Sequence, residues 1–521
     1  MCSSDLWDGV WQCMESDIIR TDKATHKVVD KVKKIKTTLD EVPFGTDEQI
    51  EHMTQRYTKE LPENVRSSML YKDILKIAWP SMVERALAAI GSMIAMMMVG
   101  NLGPWAIASV GLASLPRMLL ITMIMAMHVG STAMIARSRG ADSREKANAY
   151  FGQAVILGIV GSIIFGAVGY ASSELLIKLM GASEEATLIG GVTFLRIQCA
   201  GFVFIGIPIT ITAALRGIGN TRVPMIYNMI AAGINVLLNF LLIEGRFGFP
   251  ALGIAGASIA MLAGQAVASV IAICFVLRKN NYIYLDLKKL FKVNLNQQRD
   301  ILRIGMPAVG EQVILRMAMI LVNRVIASLG TNDFAAHQIC MNFLNFTIIN
   351  GESLSTSATM LMGQSIGKKR PDMAQAYTSR CRRTGLVFAL FLAAMFVILR
   401  HPLTKLYTED AAIIETSVFV ILILAVYQPF QASQYIVSGA LRGAGDTFAI
   451  AVLNFFCALL LRPTFAAVAV YYFGLGVAGA WYAFLADQIL RSILISRRFS
   501  SGKWKKVFHV KKAAAVEGSV E

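Results

Sequence analysis

Residues Asp73–Pro80 read DILKIAWP, and 227 positions later Asp300–Pro307 read DILRIGMP. The same spacing relates Glu84 to Glu311 and Gly103 to Gly330. The chain therefore contains one segment twice, in the same order. About six apolar segments separate equivalent points. Because this number is even, the two copies cross a membrane in the same direction and form parallel repeats.

The composition places the repeat in a bilayer. Of 521 residues, 55% are hydrophobic and only 16% are charged, and the mean hydropathy is +0.55. The apolar residues fall in blocks of about twenty, the length that an α-helix needs to cross the hydrocarbon core. The sequence predicts an all-α integral membrane protein of about twelve transmembrane helices, arranged as two parallel six-helix repeats around a central cavity.

Changes in composition divide the chain into five segments. Polar or basic character indicates a cytoplasmic N-terminal arm, a cytoplasmic linker and a basic cytoplasmic tail outside the two helical bundles. The predicted boundaries are 1–70 for the arm, 71–278 for the first six-helix bundle, 279–299 for the linker, 300–498 for the second six-helix bundle and 499–521 for the tail.

The formal net charge of +16 is distributed unevenly. Lys and Arg concentrate in segments that should share one side of the membrane, whereas the intervening connections carry almost none. These basic segments are 23–36, 137–146, 278–303, 368–383 and 497–512. This asymmetry follows the positive-inside rule. It predicts a multi-pass protein of the plasma (inner) membrane with both termini in the cytoplasm, and it argues against nucleic-acid binding.

The sequence shows no nucleophile–base constellation, metal-binding motif or Walker loop. We therefore expect no enzyme activity and no cofactor. The expected partners are a small-molecule substrate and the lipid bilayer, and the expected assembly state is a monomer.

Two carboxylates stand out because a charge at mid-bilayer requires a partner or a cavity. Glu84 and Glu311 each lie ten residues into their helix, roughly 15 Å from its start. No basic residue follows or precedes either one at helical spacing, so other helices must supply partners. The candidates are Arg117 and His128 in the first half, and Arg316, Arg324 and Arg462 in the second. The sequence leaves two roles open for these carboxylates: either ion coupling or substrate binding, or a purely structural ion pair.

Glu352 has no acidic counterpart in the first half, where the repeat places Met125. An acid unique to one half suggests either a one-sided binding pocket or an ion pair with Arg462. Asp487, in contrast, has Arg491 four residues later, which favours a structural pair.

Amide side chains also lie within the apolar spans. Asn235 and Asn239 share one helix face, and Gln431 lies in the tenth span. Because an amide facing lipid would lack hydrogen bonds, we expect these side chains to point inward. They either join helices or contact substrate and cavity water.

Several short motifs occur along the two halves, and one of them is repeated. Ala214–Thr221 reads ALRGIGNT and Ala440–Thr447 reads ALRGAGDT, while Val99–Gly103 reads VGNLG and Ala335–Ile339 reads AAHQI. These segments resemble the multidrug and toxic compound extrusion (MATE) family over roughly Tyr71 to Arg498. The resemblance implies export of organic cations or other amphipathic compounds, driven by a proton or sodium gradient. We expect the ALRG segments to form cytoplasmic helix turns whose arginines anchor to headgroups or carbonyls.

One branch of that family binds ions with an Asp on the first helix and an Asn and an Asp four residues apart on the fifth, where this chain has Ala95, Asn235 and Asn239, so both acids are absent. Another branch uses acids on the seventh and tenth helices, and the corresponding residues here are the uncharged Leu315 and Gln431. Protons, not sodium ions, are therefore predicted to couple transport, through Glu84, Glu311 or both.

One alternative function stays open, and one other family of twelve-helix carriers does not fit the sequence. A flippase for a lipid-linked precursor remains the alternative. The loop Arg137–Asp142 does not have the sequence expected of a major facilitator.

Overall fold

The computed structural model describes residues 66–180, 184–286 and 292–505. Most of the predicted arm and tail therefore lie outside the described residues. The described part of the first half contains eight α-helices: α1 (Ser67–Gly100), α2 (Pro104–Gly140), α3 (Arg144–Ala171), α4 (Ser173–Leu179), α5 (Glu185–Ala200), α6 (Phe202–Gly217), α7 (Arg222–Leu242) and α8 (Gly253–Leu277).

The second half repeats this order. Its helices are α9 (Leu295–Ala327), α10 (Thr331–Gly367), α11 (Pro371–Lys405), α12 (Ala411–Gly443), α13 (Thr447–Asn454), α14 (Arg462–Ala467) and α15 (Gly476–Ser500). Two π-helical segments, Phe455–Leu461 and Val468–Tyr472, follow α13 and α14, so that all four form one continuous span.

Helix α9 begins within the segment predicted as a linker. The side chain of Asn294 accepts a hydrogen bond from the backbone N–H of Gln297 at 3.2 Å. This is an N-cap, which satisfies one of the free donors of the first turn and fixes the start of the helix.

Among the described residues, nine helices are long and apolar enough to cross a membrane singly. The pair α5 and α6, bent by 54° at Gly201, makes a tenth span. Helices α10 and α15 contain 37 and 25 residues, which is also long enough to span a bilayer. The predicted fold class, an all-α membrane protein of twelve spans in two repeats, is confirmed.

The backbone reproduces the repeat at its turns. Asp142 and Lys369 are equivalent residues, and both have positive φ angles, of 50° and 57°. Gly103 and Gly330, which precede the second helix of each half, have φ angles of 110° and 118°. L-residues rarely adopt such angles, so the same two turns have been kept in both copies.

The two halves meet reciprocally: α1 packs against α10 and α11, and α9 packs against α2 and α3. The contacts concentrate at the end where α2, α6, α8, α10 and α12 finish. This end carries the basic connections, and we call it the basic end.

Buried apolar residues also join the halves near this end. Ile74 and Ala78 pack with Leu354 and Ala440, and Met127 packs with Ala308. Toward the opposite end, where α1 finishes, the buried apolar residues form two separate clusters, one in each half.

Glycines permit this close approach. A Cβ on Gly130 would lie 2.1 Å from the carbonyl oxygen of Ile301. A Cβ on Gly140 would lie 2.0 Å from the carbonyl oxygen of Gln364, and one on Gly367 would lie 2.1 Å from that of Arg137. Because no larger residue fits without moving backbone, α2 crosses α9 and α10 nearly backbone to backbone.

Candidate transport site

Glu84 forms a triad with two other side chains of the first half, Arg216 and Asn228. Its carboxylate accepts two hydrogen bonds from Arg216, at 2.9 and 3.0 Å, and one from the Asn228 amide at 2.8 Å. The side chain of Glu84 is 11% exposed. The arginine of the first ALRG motif thus points inward to α1.

The second half contains the equivalent triad. Arg442 donates to Glu311 at 2.5 Å, and Asn454 donates to the same oxygen at 2.9 Å. Glu311 is buried, at 1% exposure. The duplicated positions therefore hold the same three residue types in the same arrangement.

Two expectations from the sequence are wrong here. The partners of Glu84 and Glu311 are the ALRG arginines, whereas Arg117 donates to Gln198 at 2.9 Å and His128 contacts Thr210 at 2.8 Å. Likewise, Arg216 and Arg442 pair with these carboxylates instead of anchoring to headgroups or carbonyls. The distance along the chain, more than 130 residues in each case, is what concealed the pairing.

The triad of the second half continues into a buried network on α12 to α15. Asn454 accepts from Arg491 at 3.1 Å, and Arg491 donates to Asp487 at 3.1 Å. Arg462 binds the same oxygen of Asp487, with its Nε at 2.9 Å. The predicted pair of Asp487 with Arg491 is confirmed, and Arg462 is a third member. The first half places Gly264 and Ala268 at the positions of Asp487 and Arg491.

Glu352 lies at the boundary between the halves. It forms an ion pair with Arg85 of α1, so the alternative partner predicted for it, Arg462, is wrong. Both side chains remain accessible, Arg85 at 29% and Glu352 at 38%. Each residue lies near the midpoint of its helix, α1 or α10.

The two amide side chains predicted on one face of α7 form a hydrogen bond with each other. Asn239 donates to the Asn235 side chain at 3.0 Å, and the Asn239 side-chain oxygen has no hydrogen-bond partner. The two residues lie seven and eleven positions beyond Asn228, so they are separate from the Glu84 triad.

Gln431 borders a small polar cavity between α10, α11 and α12. Its side chain accepts from Thr347 at 2.8 Å, and Asn350 and Gln428 also line the space. The cavity measures about 10 Å³, enough for roughly one water molecule. Both amide atoms of Gln428, which is 2% exposed, lack a protein partner. The unpaired Gln428 amide gives a bound water hydrogen-bonding partners in a cavity whose remaining lining is largely apolar.

The structure thus distributes the predicted site residues over five places. They are the first triad with Glu84, the second triad and its network with Glu311 and Arg462, the interface pair with Glu352, the α7 pair of Asn235 and Asn239, and the cavity beside Gln431. Sequence reasoning missed Arg216, Arg442, Asn228 and Asn454. The repeat itself could have identified them, because a spacing of 226 residues, one fewer than that from Glu84 to Glu311, relates Arg216 to Arg442 and Asn228 to Asn454.

The geometry defines a class of protein: a duplicated helical membrane protein whose halves are closed at one end and separate toward the other. Comparison with known sequences agrees. The sequence profile of the MatE family matches residues 80–241 and 307–468. The chain belongs to this family, the MATE efflux transporters.

Individual relatives align over most of the chain. The probable multidrug resistance protein NorM of Thermotoga maritima is 28% identical over 449 residues, covering 86% of this chain and 95% of the relative. The uncharacterized transporter YisQ of Bacillus subtilis is 27% identical, covering 83% of this chain and 94% of the relative.

Solved structures share the fold. A structure described as the outward-facing conformation of a multidrug resistance MATE family transporter superposes with a TM-score of 0.77 at 22% identity, covering 86% of this chain and all of the other. A MATE structure in the bent conformation gives a TM-score of 0.78 at 22% identity, covering 85% of this chain and 99% of the other.

Proposed function

We propose that this protein is a secondary active exporter of cationic or amphipathic small molecules, working as an antiporter driven by a proton or sodium gradient. One observation carries the proposal. The halves contact each other closely at the basic end and have separate cores toward the opposite end. This is the arrangement of a carrier open to one side, whose halves rock to expose the other side.

In the proposed orientation, the basic end and both chain termini lie in the cytoplasm. Arg139, Arg144 and Lys368 lie at connections on this end, in keeping with the positive-inside rule. In this orientation the described form is open to the outside, which is the state that releases an exported solute. We propose that it acts as a monomer in the plasma membrane.

The substrate class rests on two supports. The Thermotoga maritima relative is called a probable multidrug resistance protein. In addition, the accessible Glu352 carboxylate lies between the halves, where a cationic solute would be attracted.

The coupling group is also a proposal. Proton coupling through Glu84 or Glu311 was predicted because they looked like single carboxylates, but each holds an arginine and an asparagine. A proton taken up there would have to break a charge-assisted hydrogen bond. Glu352 is more exposed than either, so exchange of ions with the solvent would cost less there.

Transport can be measured with the full-length chain in everted membrane vesicles, using ethidium as a fluorescent monovalent cation. Proton and sodium gradients are imposed separately, and vesicles without the protein serve as the control. We expect ethidium to accumulate inside everted vesicles under one of the two gradients. Accumulation that is equal with and without both gradients would overturn the proposal of a gradient-driven exporter.

A further inference from the structure

The ion pair between Arg85 and Glu352 joins the two halves near the middle of the membrane span. Arg85 belongs to the first half and Glu352 to the second, whereas nine other ion pairs among the described residues each lie within one half. It therefore exists only while α1 and α10 are in contact. Any rocking that separates these two helices must break it.

Glu352 is also the mid-span carboxylate that a solute can reach. Its side chain is 38% exposed, against 11% for Glu84, 1% for Glu311 and 0% for Asp487. Tyr435 of α12 contacts the adjacent Gly351 and lies close enough to Glu352 to interact with it electrostatically. An aromatic side chain beside a carboxylate can add to the binding of an organic cation.

The pair is not part of the duplicated framework. The repeat places Gln312 at the position equivalent to Arg85, and Met125 at the position equivalent to Glu352. The triads, in contrast, are present in both halves. A pair that has arisen once, between accessible residues, points to a role that the other half does not share.

A guanidinium is itself an organic monocation, so Arg85 occupies Glu352 as a cationic substrate would. Because it is attached to α1, its effective concentration at Glu352 is set by the helix contact and not by the solution. A free cation must therefore compete with it whenever α1 touches α10.

We infer that Arg85 is a built-in competitor that expels the exported cation from Glu352 in the form closed at the basic end. When the halves rock the other way, α1 and α10 separate, Arg85 leaves, and Glu352 can take a cation from the basic side. This inference rests on the proposed export of cations. It adds the binding group, the class of ligand and the reason that release occurs on one side.

The test is equilibrium binding of ethidium to the purified full-length protein, measured by fluorescence anisotropy in lipid nanodiscs. Arg85→Gln removes the competitor, and Arg85→Met removes its charge while keeping a long side chain. We expect both variants to bind ethidium about 1.5-fold to fivefold more tightly, the range expected from losing a partly exposed ion pair. Glu352→Gln, alone or with Arg85→Gln, should bind at least tenfold more weakly than wild type.

Lys178→Gln is the matched control, since it removes one cation from the exposed Lys178–Glu174 pair within the first half. It should bind ethidium like the wild type. If Glu352→Gln loses binding but neither Arg85 variant gains affinity, Arg85 is not a competitor and the inference is wrong, while the proposed export stands. If Glu352→Gln binds normally, the carboxylate is not the site. If the wild type neither binds nor transports ethidium, the proposed function itself fails.

Discussion

The hydroxyl of Tyr377 donates a hydrogen bond to the Asp73 carboxylate at 3.0 Å, from the second half to the first. The equivalent residues make the reciprocal contact, in which Tyr150 donates to Asp300 at 3.1 Å. The interface at the basic end therefore has the same tyrosine–aspartate hydrogen bond on both sides of the repeat axis. Opening this end requires that both hydrogen bonds break.

Replacing both tyrosines, Tyr150→Phe with Tyr377→Phe, should favour opening of the basic end. Each change removes a hydrogen bond to a carboxylate, worth about 1.5–3 kcal/mol, so together they should shift the equilibrium by about 3–6 kcal/mol. Spin labels on the exposed equivalent residues Ala141 and Lys368, in a cysteine-free background, would report the distance between the halves. We expect a larger long-distance population. Tyr482→Phe, at an exposed tyrosine within one half, should leave the distribution unchanged.

The glycine crossings should tolerate no side chain. Gly130→Ala would place a methyl group 2.1 Å from a backbone oxygen, so α2 must move away from α9. We expect a loss of about 1–3 kcal/mol for the form closed at the basic end. Gly152→Ala is the control, because nothing lies within 4 Å of its Cβ position. Equal thermal stability and equal label distances for the two variants would contradict this explanation of the crossing.

The two triads should contribute differently to the free energy of unfolding. Glu311→Gln leaves Arg442 without its anionic partner in a buried network, where breaking an ion pair typically costs about 3–5 kcal/mol. Glu84→Gln should cost less, because Glu84 is more accessible and its triad is not extended. Thermal unfolding in detergent should therefore show a lower midpoint for Glu311→Gln. The double variant Glu311→Gln with Arg442→Gln should recover part of the loss.

Rocking of the halves can be tested at the opposite end. Leu102 and Leu329 are equivalent residues at the ends of α1 and α9. A disulfide between Leu102→Cys and Leu329→Cys should form only when this end closes, and it should then arrest ethidium transport until a reductant is added. Undiminished transport with the disulfide fully formed would show that this end need not open.

The orientation is tested by a topology reporter fused after Lys505 or inserted after Lys405. Lys505 lies beyond α15 at the basic end, and Lys405 closes α11 at the opposite end. We expect a reporter active only outside the membrane to be silent after Lys505 and active after Lys405. The reverse result would invert the proposed direction of transport.

Much of the fold could be predicted from the sequence, because helix length, apolar blocks and the duplicated Asp73–Pro80 segment are local properties. The bend at Gly201 was not predicted. It depends on packing, since a Cβ there would lie 2.3 Å from the side chain of Leu262. The extension of α9 to Leu295 was missed because polar residues in its first turn resembled a linker.

The candidate site was harder to predict. Glu84, Glu311 and Glu352 were recognised as unusual because the cost of a charge in the bilayer is a property of each residue alone. Their partners depend on how helices face one another, which periodicity within a helix does not reveal. Only Asp487 and Arg491, four residues apart on one helix, were paired in advance.

The Arg85–Glu352 contact also has a consequence for the history of the chain. A symmetric dimer of two first halves would carry the arginine twice and the acid nowhere, and a dimer of two second halves would do the reverse. The pair can form only in a single polypeptide whose copies have diverged and are no longer interchangeable. Chimeras built by duplicating either half would therefore keep the helical framework but lose this contact, which requires two different halves.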